Sequence, residues 1–316
     1  MFKYVLRRIL EAIPTTLGIL LITFLLFNVV IGDSPALTIL GKGASEESIR
    51  AFNRQYGYDK PLIIGEDDFF DSQFFAFMKN VATGDLGYSA KMNEPVKDIL
   101  ARGVGPSLSL TVPILIFGSV LALFFATLSA AYRGRTPDKI ILFVSAVLMS
   151  VNYVVWVLLG QFFLAFKAEW FPIWGYGSVE YMILPVMIGV LSSLGMDVRF
   201  YRTAILDEIY KPYVLTARSK GLNRFTVMTR HVLRNALIPI VTYISLSIPY
   251  LFTGSLLLES FFGIPGLGSV SINAIHSADL AVVRAVVVLG ALVYQVVNLV
   301  TDVLYAFLDP RVRIAK

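Results

Sequence analysis

From Ser107 to Tyr132 the chain runs 26 residues without one charged side chain. A helix needs about 20 consecutive apolar residues to cross the hydrocarbon core of a bilayer. Such stretches recur, and scanning for them predicts six spans, at 13–31, 107–132, 140–166, 181–196, 236–258 and 281–308. The runs are continuously apolar and lack the alternation of a closed barrel's strands, so helices are the workable spanning structure. Composition agrees: 56% of the 316 residues are hydrophobic and 16% charged, with mean hydropathy +0.72, whereas soluble domains carry about 25% charge. The expected fold class is therefore all-α, a polytopic membrane protein with six transmembrane helices. The basic flank Lys3, Arg7 and Arg8 resembles a signal peptide's start, but the first run is long for one and no small-residue cleavage site follows, so it reads as an uncleaved span.

Six spans put both termini on one side. With the N-terminus inside, 17 of the 27 Lys and Arg fall on the cytoplasmic face, which carries +10 against −5 outside and recovers the overall +5. This is the positive-inside pattern and predicts cytoplasmic N- and C-termini. The same sorting explains the basic balance through topology and anionic inner-leaflet lipid. No nucleic-acid-binding motif accompanies it, so nucleic acid is not an expected partner. With no Cys, and with His231 and His276 as the two His, thiolate chemistry is excluded and a His-based metal site is not expected.

Three parts follow: the N-terminus and first span at 1–31, an external segment at 32–105, and a five-helix core at 106–316. In the external segment, Ser45 before Glu46 and Glu47 marks a helix start. Ile49, Phe52 and Tyr56 share a face, and Gly57 can end the helix. The aromatic stretch 69–78 predicts a second helix, whose Phe residues pack on the spans or meet an external partner. Three Gly and a Pro within 263–268 break any helix there and fit either a tight turn or a re-entrant corner. Between the fourth and fifth spans lies a long basic connector. Tyr213, Val214 and Ala217 share one helical face in it, and Gly221 ends that helix with Asn223 close behind. A helical elbow of this kind suits docking to another protein.

No catalytic constellation appears, so the chain is not expected to be an enzyme, and transport is the natural reading. Ion coupling normally needs ionisable groups within the membrane. The second, third and fifth spans contain none, and Glu11, Asp197, Arg199, Arg202, Arg284 and Asp302 are placed near span ends, where snorkelling accounts for them. Asn152 and Gln161 are the notable polar groups of the third span, read as interhelical glue or as pathway contacts. Gly41-Lys42-Gly43 lacks the distant Gly and the Ser/Thr of a phosphate-binding loop, so the chain is not expected to bind ATP. A partner ATPase pressing on the elbow is the economical energy source. An ion-coupled carrier acting alone, or a non-transporting scaffold, are the rivals.

Six stretches, at 4–10, 84–89, 213–221, 230–239, 263–268 and 302–311, occur in an order and at a spacing that resemble the permease subunits of bacterial oligopeptide/dipeptide ABC transporters, the OppB/DppB type. The resemblance covers nearly the whole chain. It implies a type I ABC importer permease fold in a bacterial inner membrane, and half of a pore completed by a second homologous permease subunit. Two cytoplasmic ATPase subunits, which would carry the ATP and Mg, and an external substrate-binding protein would complete the assembly. It also implies that the elbow, about 207–223, is a coupling helix, with Ala217 and Gly221 in the motif's Ala and Gly places and Leu215 and Thr216 where a generic motif has Glu and Ala. Asp207, Glu208, Tyr213, Arg218 and Lys220 are then the candidate ATPase contacts. Di- and oligopeptides are the expected substrates, with nickel, glutathione or oligosaccharide as alternatives within the class.

Overall fold

The computed structural model describes residues 2–30, 36, 40–41, 43–64, 70–253 and 255–308. Lys42, Phe69 and Asp309-Pro310-Arg311, each part of a sequence motif above, lie outside them. Helix α1, Phe2–Leu25, continues as a π-helical stretch, Leu26–Val30. Next come α2, Glu46–Tyr56, α3, Gln73–Thr83, and a short antiparallel hairpin of β1, Tyr88–Ser89, and β2, Glu94–Pro95. Helix α4, Val96–Ala131, leads to α5, Thr136–Ser150, and α6, Tyr153–Gly160, which continues as the π stretch Gln161–Lys167. Helix α7 spans Glu180–Ile209 and α8 Pro212–Ser219. A turn of helix α9, Arg224–Thr226, runs through the π stretch Val227–Leu233 into α10, Arg234–Thr253. Two short helices, α11, Leu256–Phe262, and α12, Leu267–His276, precede α13, Leu280–Leu308.

Two compact units can be described, each by itself. The first comprises 1–104 and 270–299. Ser45 caps α2 by accepting from Ser48 N–H, with Glu46 and Glu47 in its first turn, and Gly57 closes it at φ 73°. A cap of this kind stabilises a helix by about 1 kcal/mol. The aromatic helix starts later than the sequence predicts. Ser72 takes the N-cap position, accepting from Phe75 N–H, so Phe70 and Asp71 precede the helix. Phe74 and Phe77 meet Phe24 of α1 at ring-centroid distances of 5.5 and 5.8 Å, and Phe24 is 1% exposed. Part of the aromatic face therefore packs on the first span. In the hairpin, the Ser89 hydroxyl donates to Asp279, the residue that caps α13 through Val282 N–H, and both side chains are buried.

The second unit, 105–269 and 300–316, is built around α7. Helices α5 and α10 lie against it. At Gly195 the α5–α7 approach is so close that a Cβ would sit 2.6 Å from the Ser145 carbonyl oxygen. Long apolar side chains such as Phe117, Phe124, Ile140 and Phe143 point outward and are more than half exposed. That inversion of the usual inside-out arrangement is expected where hydrocarbon is the solvent.

Among the described residues five helices are long and apolar enough to cross a membrane, and two further bent pairs pass the same test jointly. This changes two of the six predicted spans. The third is not one helix: α5 and α6 meet at 92°, because Asn152 adopts an extended backbone and its side chain accepts from Val154 N–H, starting a new helix. The fifth ends at Thr253 instead of continuing to residue 258, and α11 and α12 form a corner of 84°. The Gly- and Pro-rich stretch is thus a helix–turn–helix corner.

Candidate functional site

The elbow is α8 with its flanks. Lys211 is extended, Pro212 occupies the first helical turn where its missing N–H costs nothing, and Gly221 ends the helix at φ 80°. Asn223 then caps the next helix, its side chain accepting from Thr226 N–H at 2.7 Å. Val214 and Ala217, 0% and 5% exposed, enter a core shared with Ala204, Ile205, Val227, Val232 and Ala236. Of the three residues read as one face, Val214 and Ala217 are buried and Tyr213 is exposed. The buried pair fixes the elbow onto α7 and the start of α10.

The outer side of the elbow carries Asp207, Arg218 and Lys220, all exposed. Glu208 is turned inward along the elbow and accepts from the Tyr213 hydroxyl. Partial burial, followed by the adjoining Glu208 carboxylate, holds the Tyr213 phenol above its usual range. Arg133 donates to the Tyr210 hydroxyl and lies 5.3 Å from its ring centre, joining the α4–α5 turn to the elbow's root. Between the charges stand Leu215, Leu222 and Phe225, 57%, 40% and 77% exposed. The exposure of Phe225 and Leu222 is not evident from sequence. The available signal is a large apolar residue just past a helix-ending Gly, in a segment otherwise basic.

Beneath the elbow, Asp138 and Arg202 pair. Arg202 Nε and Nη2 each reach a different Asp138 oxygen at 2.9 Å, while Ser129 and Gly134 N–H also donate to the carboxylate. The pair ties α4, α5 and α7 together. Arg202 therefore has a buried structural partner in addition to its predicted topological role.

At the α11–α12 corner, Glu259 is fully buried. Its Oε1 accepts from Ser107 Oγ at 2.8 Å and Ser255 N–H at 3.0 Å, and its Oε2 from Gly268 and Ser269 N–H at 2.6 and 3.1 Å. Ser107 Oγ in turn accepts from Leu267 N–H at 2.8 Å. The carboxylate thus serves the unpaired amides at the start of α12, where negative charge is favoured. A Cβ at Gly266 would overlap the Glu259 carboxylate. Gln161 belongs to the same region: its Nε2 donates to Phe261 O at 3.0 Å and Ile173 O at 3.1 Å. Gly263 lies flat against the Trp174 indole, with no room for a Cβ. Asn152 caps α6, as described above. Asn152 and Gln161 thus both have defined structural partners.

Asp197 lies on α7, which continues past it. Helix α7 runs on to Ile209, which places Asp197 about 26 Å along it from Glu180 and about 18 Å short of its end. It is an interior residue of the helix, and it lines a cleft of about 400 Å³ with Ser119, Ser192, Ser193, Tyr243 and Ser247.

Among the described residues no cluster of three or more His, Cys, Asp or Glu could hold a metal ion. Residues 118–314 match the family described as binding-protein-dependent transport system inner membrane component, and residues 1–111 match the N-terminal family of the same membrane components. The glutathione transport system permease protein GsiC of Escherichia coli O6:H1 is 32% identical over 314 residues, covering 99% of each chain. The GsiC proteins of Shigella flexneri serotype 5b and Salmonella choleraesuis are 32% and 33% identical with the same coverage. The chain belongs to the binding-protein-dependent transport system inner membrane component family, as an ABC importer permease of the OppB/DppB type.

Proposed function

We propose that this permease forms one half of a translocation pathway for short peptides, with glutathione, itself a tripeptide, as the first substrate to test. The end-to-end likeness to GsiC proteins carries the substrate reading. A second homologous permease completes the pore, an external binding protein delivers the solute, and two cytoplasmic ATPases bind the elbow. ATP and Mg reside in those ATPases. Both termini face the cytoplasm, on the side that holds the elbow and most of the basic residues.

The elbow's build supports the coupling role. Val214 and Ala217 lock it to α7 and α10, so force applied to Leu215, Leu222 and Phe225 passes into the spans instead of bending a loose loop. An apolar knob ringed by Asp207, Arg218 and Lys220 has the anatomy of a docking site, with an apolar centre and a polar rim. Glu208 and Tyr213 hold the entry of the elbow in place through their mutual hydrogen bond.

The test is uptake by proteoliposomes containing this permease with its partner permease and ATPases, supplied with the binding protein. ATP-dependent accumulation of labelled glutathione or a tripeptide is the expected result. Accumulation of nickel or an oligosaccharide with no peptide uptake overturns the substrate reading, and ATP-independent transport by the single chain overturns the coupling reading.

A further inference from the structure

We infer that Asp197 is a recognition site for the primary ammonium of the transported solute, its positively charged amino terminus. The inference rests on the peptide reading above and adds which end of the peptide meets this chain.

The cleft lined by Asp197 is rich in hydrogen-bond acceptors. Ser192 and Ser193 donate their protons to the Gly189 and Val190 carbonyls of their own helix, at 2.7 and 3.3 Å. Their hydroxyl oxygens therefore remain as acceptors. Asp197 Oδ1 accepts from the Tyr243 hydroxyl at 3.1 Å, and the carboxylate also has a hydrogen bond with the Ser193 side chain, so two of its roughly four acceptor positions are taken. Tyr243 is held in place by stacking on Phe200, with ring centroids 4.4 Å apart and an interplanar angle of 23°.

No Lys, Arg or His lines the cleft, and no cation pairs with Asp197 among the described residues. A carboxylate on a spanning helix that faces a cleft without a paired cation is placed to meet a solute. Asp138, on the neighbouring α5, shows the contrast: it has its own Arg202 and four hydrogen bonds. Asp197 has an open side.

The chemistry selects the ligand. A metal ion would call for several acidic ligands at this point, and they are absent among the described residues. A primary ammonium brings one positive charge and three N–H donors. These match one carboxylate and the flanking serine oxygens, as charge-assisted hydrogen bonds. Gly189 lets Ile114 pack closely on α7 at the cleft wall, since a Cβ there would collide with it. The volume falls within the range of about 300–1,000 Å³ usual for small-solute sites.

The test uses the whole transporter in nanodiscs and in proteoliposomes, with triglycine and N-acetyltriglycine as probes. The acetyl group removes the positive charge and two N–H donors. In the wild type, equilibrium binding should favour triglycine, and Asp197→Asn should erase at least tenfold of that preference without weakening N-acetyltriglycine. Triglycine uptake at saturating binding protein should fall at least tenfold in Asp197→Asn and return to within about threefold of wild type in Asp197→Glu, which restores the charge. Equal losses for both probes would mark a structural or proton-accepting role and overturn the assignment. Triglycine uptake in Asp197→Asn equal to wild type would overturn it as well, leaving the peptide reading intact. If the wild-type transporter neither binds nor moves either tripeptide, the peptide reading falls and the assignment falls with it.

Discussion

Arg202 grips Asp138 as a fork, Nε to Oδ1 and Nη2 to Oδ2, both at 2.9 Å, with the aspartate side chain 4% and the arginine side chain 17% exposed. Breaking a buried pair by removing one partner costs about 3–5 kcal/mol, since the other charge is stranded. Arg202→Met is expected to destabilise the protein by that order, and Arg202→Lys by less, because it keeps the charge and loses the planar geometry. The double variant Arg202→Met with Asp138→Leu should recover a large part of the loss. Thermal unfolding in detergent measures all three, and a double variant worse than Arg202→Met would count against the pair's role.

Glu259→Gln replaces one acceptor oxygen by an amide that points hydrogens at donors: either Ser107 and Ser255, or Gly268 and Ser269, lose their partner. Leaving such groups unsatisfied costs about 1–3 kcal/mol each. Hydrogen exchange should accelerate markedly in this variant at Ser255, or at Gly268 and Ser269, according to which way the amide turns. Unchanged protection at all three would show that the corner is held by something other than the carboxylate.

Substitutions on the elbow should separate folding from coupling. Gly221 has open space around it but a φ of 80°, so its cost is backbone strain alone, about 1–2 kcal/mol for an ordinary side chain. Gly221→Asn should be milder than Gly221→Val. Phe225→Ser alters an exposed side chain, and should leave thermal stability within about 0.5 kcal/mol while lowering ATPase affinity roughly tenfold, which corresponds to about 1.4 kcal/mol. A pull-down titration of the ATPase against membranes carrying each variant reads this directly.

Two glycines in close contacts should behave differently. At Gly195 an added Cβ meets backbone, the Ser145 carbonyl at 2.6 Å, whereas at Gly160 it meets the Ile188 side-chain end at 2.5 Å. A side chain can rotate away and a helix backbone cannot. Gly195→Ala should therefore cost about 1–3 kcal/mol and lower the melting temperature more than Gly160→Ala. The reverse order would mean that α5 slides easily on α7.

What the sequence made legible was local. Ser45 and Gly57 declare a helix because capping involves residues three or four apart, and Val214 with Ala217 declare a buried face by spacing alone. The apolar runs revealed the bilayer for the same reason. The kink at Asn152 was hidden, since neither Pro nor Gly precedes it and its apolar run is unbroken. The corner's organiser was hidden too: Ser107 and Glu259 are 152 residues apart, and a lone Glu in an apolar stretch carries no sign of its partners. The cleft beside Asp197 was hidden as well, because its lining comes from residues as far apart as Ser119 and Ser247.

The π stretch Val227–Leu233 stands between the elbow and α10. A π turn holds more residues than an α turn, so exchanging one residue between the two forms shifts the hydrogen-bond register by a single step. Each such step turns the helix beyond it by roughly 100° and advances it by only about 1.5 Å. Conversion of this stretch to α-helix would therefore turn the face that bears Tyr243 far more than it would move it along the axis.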